Sequence, residues 1–323
     1  MRMNHGFLFL GLGLLSAGLV ALAIQANLID RGTMANAWRL WPLILVAIGL
    51  LLILSRTRYA VVGTALAAVV IGAITATGIY AVGAGLVPGC GSPPSATAQT
   101  QGGSFGTDAT LDWTLNCANL DVAMSTSPNW TASWAAAQEG AVPTVDGTAT
   151  GLRLASVDQG GDPFADRGER WVVNLPNGTT YRATIQANGA KLTMNLSGSH
   201  FASLSLKPNA TDTFLDLSNA SIGGLDLTAN AASVAINTSS GTAVSGTIDV
   251  NAGSVTLCTT PDAAFQITVS GTAMNETMNG SGITQVGNTW ESATYPDADA
   301  AHRITLTVHG NAASFDLNPS GGC

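Results

Sequence analysis

Asparagine recurs at intervals of 21 residues in TIQANGAKLTMNL (Asn188), SLKPNATDTFLDL (Asn209), DLTANAASVAINT (Asn230) and IDVNAGSVTLCT (Asn251). A fixed period of this size marks an architecture of stacked coils, because each unit is too small to bury its own apolar side. The apolar positions hold one phase. Ile185, Leu206, Leu227 and Ile248 stand three residues before the Asn; Leu192, Thr213, Val234 and Val255 stand four after it, and Met194, Leu215, Ile236 and Leu257 six after it. Alternation along both arms turns one side of every strand toward a common interior. A late copy, RITLTVHGNAASFDLNP, repeats the phase with Val308, Asn311, Phe315 and Leu317. The expectation is a single-chain parallel β-solenoid with a coil of roughly 21 residues and neighbouring rungs ~4.8 Å apart.

Asparagine suits such a corner for two reasons. It tolerates the left-handed backbone better than other residues carrying a β-carbon, and its amide can bond the equivalent amide of the next coil. Asn188, Asn209, Asn230, Asn251 and Asn311 are therefore expected to form a structural ladder. Asn209 and Asn237 also fall in N-x-S/T sequons, which chance supplies freely in a chain so rich in Thr and Ser. Residues 111 to 182 are less regular and read as strands with longer corners, as a first-coil or capping region should. Between a corner near Gly271 and Arg303 the chain inserts NGSGITQVGNTWESATYPDADAAH, expected as a lobe on one side of the stack.

The first 88 residues are of another kind. Three apolar runs, Phe7 to Ile29, Trp38 to Leu54 and Tyr59 to Val87, each approach the roughly 20 residues that an α-helix needs to cross a bilayer. The expected fold class is thus membrane α-helices plus all-β, three transmembrane helices followed by the solenoid. Arg2, Arg56 and Arg58 against Arg31 and Arg39 place the N-terminus inside a bacterial cytoplasmic membrane and everything after Cys90 outside it. Ala68, Gly72 and Ala76 recur every fourth residue and make a narrow packing face, for the protein's own helices or for another membrane protein. Residues 89–110 are Gly, Ser, Pro and Thr rich and read as a flexible linker. The domain scheme is 1–58 as a two-helix module, 59–88 as a third helix, 89–110 as linker and 111–323 as the exported domain.

All four cysteines, Cys90, Cys117, Cys258 and Cys323, lie in the polar part. An even set confined there suggests two disulfides formed in an oxidising compartment. Zinc is the rival, but no two of them are near in sequence and no His stands at ligand spacing. From Cys90 onward seven Lys and Arg face 19 of the 20 acidic residues, a balance of about −12 that repels nucleic acid.

GFLFLGLGLL followed by WRLWPLILVAIGLLLIL resembles the paired membrane helices of LiaF-like and LiaI-like bacterial envelope proteins. The NAGSVTL corners, WESATY and the closing FDLNPSGGC are similar to the toast-rack, or adhesin-like, β-solenoid domain often found behind such helices. That resemblance implies a membrane-anchored envelope protein with no catalytic residues to carry over. Of the three disulfide pairings that four cysteines permit, sequence alone chooses none. Cys258 with Cys323 would fasten the C-terminal tail, Cys90 with Cys117 the linker, and this preference leans partly on the resemblance.

Chemistry is sparse. His302 and His309 stand an odd number of positions apart on one strand, hence on opposite faces. There is no G-x-S-x-G elbow and no phosphate loop. Asp158, Asp162, Asp166 and Glu169 match no calcium-loop spacing and read as solvated charge. A polysaccharide lyase or hydrolase would need acidic pairs beside cations on one sheet. The outward positions are instead Thr, Ser, Asn and Asp, with Lys191 and Lys207 the only lysines. The expectation is a non-enzymatic, cofactor-free envelope protein presenting a rigid surface: an accessory to envelope-stress sensing whose partner is a membrane protein such as a sensor kinase, or alternatively an adhesin meeting cell-wall glycan.

Overall fold

The computed structural model of the protein describes residues 15–16, 98–136, 143–157 and 168–318. The chain divides into two units at Pro88 and Gly89, and almost all described residues belong to the second. Its strands are β1 (Gln99–Ser104), β2 (Asp108–Asn116), β3 (Ala118–Ser125), β4 (Asn129–Ala136), β5 (Thr144–Thr148), β6 (Gly151–Ala155), β7 (Glu169–Pro176), β8 (Thr180–Asn188), β9 (Lys191–Asn195), β10 (His200–Asn209) and β11 (Asp212–Asp216). There follow β12 (Ser221–Asn230), β13 (Ser233–Asn237), β14 (Ala243–Asn251), β15 (Ser254–Cys258), β16 (Ala264–Thr272), β17 (Asn275–Met278), β18 (Ile283–Val286), β19 (Thr289–Ser292), β20 (Arg303–Asn311) and β21 (Ser314–Leu317).

Each coil sends a long strand to one sheet, turns at its Asn, and sends a short strand to the other. Sheet A runs β1-β4-β7-β3-β9-β11-β13-β15-β21-β17, and sheet B runs β18-β19-β16-β20-β14-β12-β10-β8-β2-β6-β5. From β8 to β15 the pairing is parallel and in chain order, with Asp212 opposite Lys191 and Ser233 in sheet A, and Asn209 opposite Asn188 and Asn230 in sheet B. Alternate side chains from both sheets meet in one core, in which Ile185, Leu192, Leu206, Leu215, Leu227, Val234, Ile236, Ile248, Val255 and Leu257 are all buried.

The chain order breaks at both ends. β20 lies between β14 and β16, and β21 between β15 and β17, so the last coil is wedged between two that precede it. At the other end β2 lies between β8 and β6, and β3 between β9 and β7. Antiparallel strands then finish the sheets: β1 and β4 beyond β7, β5 beyond β6, and the hairpin β18–β19 beyond β16. The insertion expected as a lateral lobe thus extends sheet B at its C-terminal end. Residues 89–110, expected as linker, include β1 and the start of β2.

The expected fold class of three membrane helices plus a solenoid is corrected by these findings. The described residues from 98 onward form two large, mostly parallel sheets with one short 3-10 turn at Ala300–His302, and among the described residues no helix is long and apolar enough to cross a membrane. The apolar runs, with Ala68, Gly72 and Ala76, lie outside the described residues apart from 15–16. Localisation in the cytoplasmic membrane, with the N-terminus inside and the domain outside, rested on those helices and is withdrawn with them. Coil order departs from chain order for a physical reason. Equal phase makes every coil an acceptable neighbour for every other, so the period fixes spacing and facing without fixing sequence of stacking.

The corner chemistry also differs from expectation. The left-handed residue is the one after the Asn: Gly189 (φ 58°), Ala210 (50°), Ala231 (48°), Ala252 (52°) and Ala312 (49°). Each corner N–H is satisfied by the neighbouring coil, as Ala210 N–H is by the Asn230 carbonyl at 2.9 Å and Ala231 N–H by that of Asn251 at 2.8 Å. The asparagines end their strands in extended backbone and contribute through their amides.

The N-terminal end of the core is aromatic. Trp113, Trp130, Trp171 and Tyr181 are fully buried there. Phe105 stacks on Trp130 at 5.9 Å, Trp134 on Trp171 at 5.9 Å, and Tyr181 meets Phe201 at 5.2 Å.

Candidate binding surface

The five expected ladder residues stand in one file. Asn209 Nδ2 donates to Asn188 Oδ1 at 2.9 Å, Asn230 to Asn209 at 2.8 Å, Asn251 to Asn230 at 3.0 Å, and Asn311 to Asn251 at 3.1 Å. A sixth, Asn116, accepts from Asn188 at 2.9 Å. It was legible in principle, since Trp113, Leu120 and Val122 flank it in the common phase. Asn188, Asn209, Asn230 and Asn251 each donate to one neighbour and accept from the other, so the file is a structural seam along one corner.

Cys117 and Cys258 are both disulfide-bonded. They do not bond each other, because β9, β11 and β13 separate β3 from β15. Four strand spacings are ~19 Å, far beyond the ~7 Å that a disulfide spans between Cα atoms. Cys90 and Cys323 lie outside the described residues.

Glu169, read as solvated, is buried. Its carboxylate accepts from Ser156 Oγ at 2.7 Å, Val157 N–H at 3.0 Å and Trp171 Nε1 at 2.9 Å, which ties the end of β6 to β7. Asp158, Asp162 and Asp166 lie outside the described residues. Among the described residues no group of three His, Cys, Asp or Glu is placed to hold a metal ion.

On the outer face of sheet B, Asp249, His309 and Ser270 are neighbours across β14, β20 and β16, with His309 Nδ1 2.7 Å from Ser270 Oγ. The trio has the residue types of a nucleophilic site but stands on a flat polar face. The hydroxyl engages the ring nitrogen next to the Cγ attachment, and the row reads as a cross-strand hydrogen bond.

Sheet A carries an exception to the rule that built the fold, in the middle of the stack. At four residues past the corner, Leu192, Val234, Val255 and Phe315 are buried; at five, Thr193, Ala235, Thr256 and Asp316 face out. In the coil of Asn209 the two kinds are exchanged. Thr213 is 4% exposed and Phe214 is 38% exposed. Inside, Thr213 Oγ1 finds a buried partner in Thr211 Oγ1 at 3.1 Å. Outside, Phe214 is one of three exposed large apolar residues among the described, with Leu15 and Val286, and the only one of them on a sheet face away from a turn.

The surroundings of Phe214 follow from register. Asp212 and Asp216 flank it on β11, Lys191 and Asn195 stand at the diagonals on β9, and Ser233 and Asn237 at those on β13. Two of these are held by their own turns: Asp216 Oδ1 accepts from Ser218 N–H at 3.0 Å and Ser218 Oγ at 2.6 Å, and Asn195 Oδ1 accepts from Ser197 N–H at 3.2 Å. Directly across from the ring stand Thr193 on β9 and Ala235 on β13, so one aromatic ring lies beside a small methyl side chain with hydrogen-bonding groups before, behind and to the other side of it on fixed backbone. Sequence reasoning passed over Phe214, although the break was visible as a Thr among Leu and Val at the inward position.

No protein-family model matches the chain, and no curated protein matches it. Among solved structures, a "putative cell adhesion protein" from Clostridium sporogenes shares 12% identity over 68% of this chain and 98% of its own, with a TM-score of 0.49. A "putative adhesin" from Bacteroides fragilis shares 14% over 70% and 100%, with a TM-score of 0.21. One from Parabacteroides merdae shares 11% over 70% and 98%, with a TM-score of 0.18. These neighbours have similarly β-rich folds, and at such scores the likeness decides nothing about what this chain binds.

Proposed function

We propose that this chain is a non-enzymatic binding module of the adhesin type, presenting the outer face of sheet A with Phe214 at its contact centre. The exchange of Thr213 and Phe214 carries this reading. A buried hydroxyl and an exposed ring are each the less stable choice at their positions, and a local violation of the pattern that every neighbouring coil obeys is the mark of a functional position. The rigidity of the stack supports it too. Strands paired on both sides hold the face in a single shape, so little ordering is lost on contact.

The test is retention of the full-length chain on isolated bacterial cell-wall material. Phe214→Ala should abolish retention while leaving the unfolding transition in place, and Phe315→Ala, which acts on the interior, should do the reverse. Retention that is indifferent to Phe214 would sink the reading.

A further inference from the structure

Resting on that reading, we infer that Phe214 and its surround form a carbohydrate subsite for one neutral hexopyranose ring of a glycan. The size fits first. Neighbouring strands lie ~4.8 Å apart and same-face residues on one strand ~6.8 Å apart, so Asp212 and Asp216 stand ~6.8 Å to either side of Phe214, a reach that one sugar ring centred on the phenyl ring covers through its hydroxyls and their hydrogen bonds. The chemistry fits next. A pyranose has an apolar face of C–H groups that packs on an aromatic ring, while its equatorial hydroxyls point sideways toward acceptors and donors. Asp212, the free Oδ2 of Asp216, and the amides of Asn195 and Asn237 stand where those hydroxyls would fall, and a carboxylate can take both hydroxyls of a vicinal pair.

The same features disfavour other ligands. A protein partner needs roughly 800 Å² per side, with clustered aromatic or Arg anchors. Here a single ring stands among small polar groups. Two carboxylates against Lys191 repel uronic acids, phosphates and nucleic acid. The two side chains tied to their own turns, Asp216 and Asn195, are ordered before any ligand arrives, which limits the entropy lost on binding.

The full-length chain is titrated calorimetrically with cellohexaose, mannohexaose and hexagalacturonate, alongside its Phe214→Ala, Phe214→Trp and Asp212→Asn variants. At least one neutral hexasaccharide should bind, Phe214→Ala should weaken it about tenfold or more, and Phe214→Trp should retain it. Asp212→Asn should weaken it less than Phe214→Ala. Binding of hexagalacturonate in preference to both neutral sugars overturns the proposal, as does neutral-sugar binding that ignores Phe214. Cell-wall retention lost in Phe214→Ala without affinity for either neutral sugar overturns the sugar class and spares the binding face. Retention unchanged by Phe214→Ala overturns both.

Discussion

The middle of the stack and its N-terminal end solve the same problem by different means. From Lys191 to Cys258 the coils follow one another in chain order, and they fill the core mainly with Leu, Ile, Val and Ala. Around β1 to β8 the order is scrambled, strands turn antiparallel, and the core is closed by Trp113, Trp130, Trp134, Trp171 and Tyr181. A middle coil has a neighbour on each side to cover its apolar edge. An end coil has only one, and must cover the other edge from its own resources, which calls for side chains of large area and strands that bend back. Regularity is therefore a property of having two neighbours, and irregularity the cost of having one.

The contrast predicts unequal sensitivity. Trp130 packs against the backbone of Gly103 and Gly147, so close to Gly147 that even a methyl there would collide with its ring. Trp130→Ala should lower unfolding free energy by about 3–5 kcal/mol in chemical denaturation, whereas Ile236→Val in the middle should cost about 0.5–1.5 kcal/mol. Equal losses would break the comparison.

The end also carries a titration. Tyr181 is buried and donates its hydroxyl to the Pro176 carbonyl at 2.6 Å. Burial raises its pKa to about 12, against a smaller opposing effect of the Thr179 hydroxyl. The fold favours the protonated phenol, so the contribution is complete below the unfolded value of about 10 and is lost as pH rises from there to about 12, on the order of 2 kcal/mol. Denaturation midpoints measured across that window should fall, and Tyr181→Phe should flatten the fall. A slope that survives the substitution would place the alkaline weakness elsewhere.

In the middle the expected effects are smaller. Asn230→Ala removes two bonds of the amide file and strands their exposed partners, Asn209 and Asn251; the expected loss is about 1 kcal/mol in thermal or chemical unfolding. Ala231→Gly should act the other way. Ala231 holds φ 48°, which a residue with a β-carbon resists, and removing that carbon should gain about 0.5 kcal/mol. A destabilised glycine variant would show that the corner is less strained than its angle implies.

What could be read from sequence follows the same division. Asn188, Asn209, Asn230 and Asn251 announce the middle, because each coil obeys the same local rule as the next, and alternation around each Asn fixes which side faces in. Asn311 was legible in phase, but its place beside Asn251 was not, since nothing in RITLTVHGN says that it stacks before the coil of Thr272 rather than after. That choice is made by edges meeting at a distance in sequence. The burial of Glu169 was hidden for a related reason: its donors Ser156, Val157 and Trp171 come together only once β6 and β7 are placed. Phe214 was the opposite case, a signal local to the repeat itself: a Thr at the inward position where the coils on either side carry Leu192 and Val234.

The position of the last coil limits how such a chain can change length. Because residues 303–317 sit between two segments made earlier, a duplicated 21-residue unit appended after Leu317 would find no open berth. One inserted between Lys191 and Cys258 would slip in as a new rung and lengthen the stack by ~4.8 Å. Descendants of this chain should thus vary in height through their waist, with both extremities preserved.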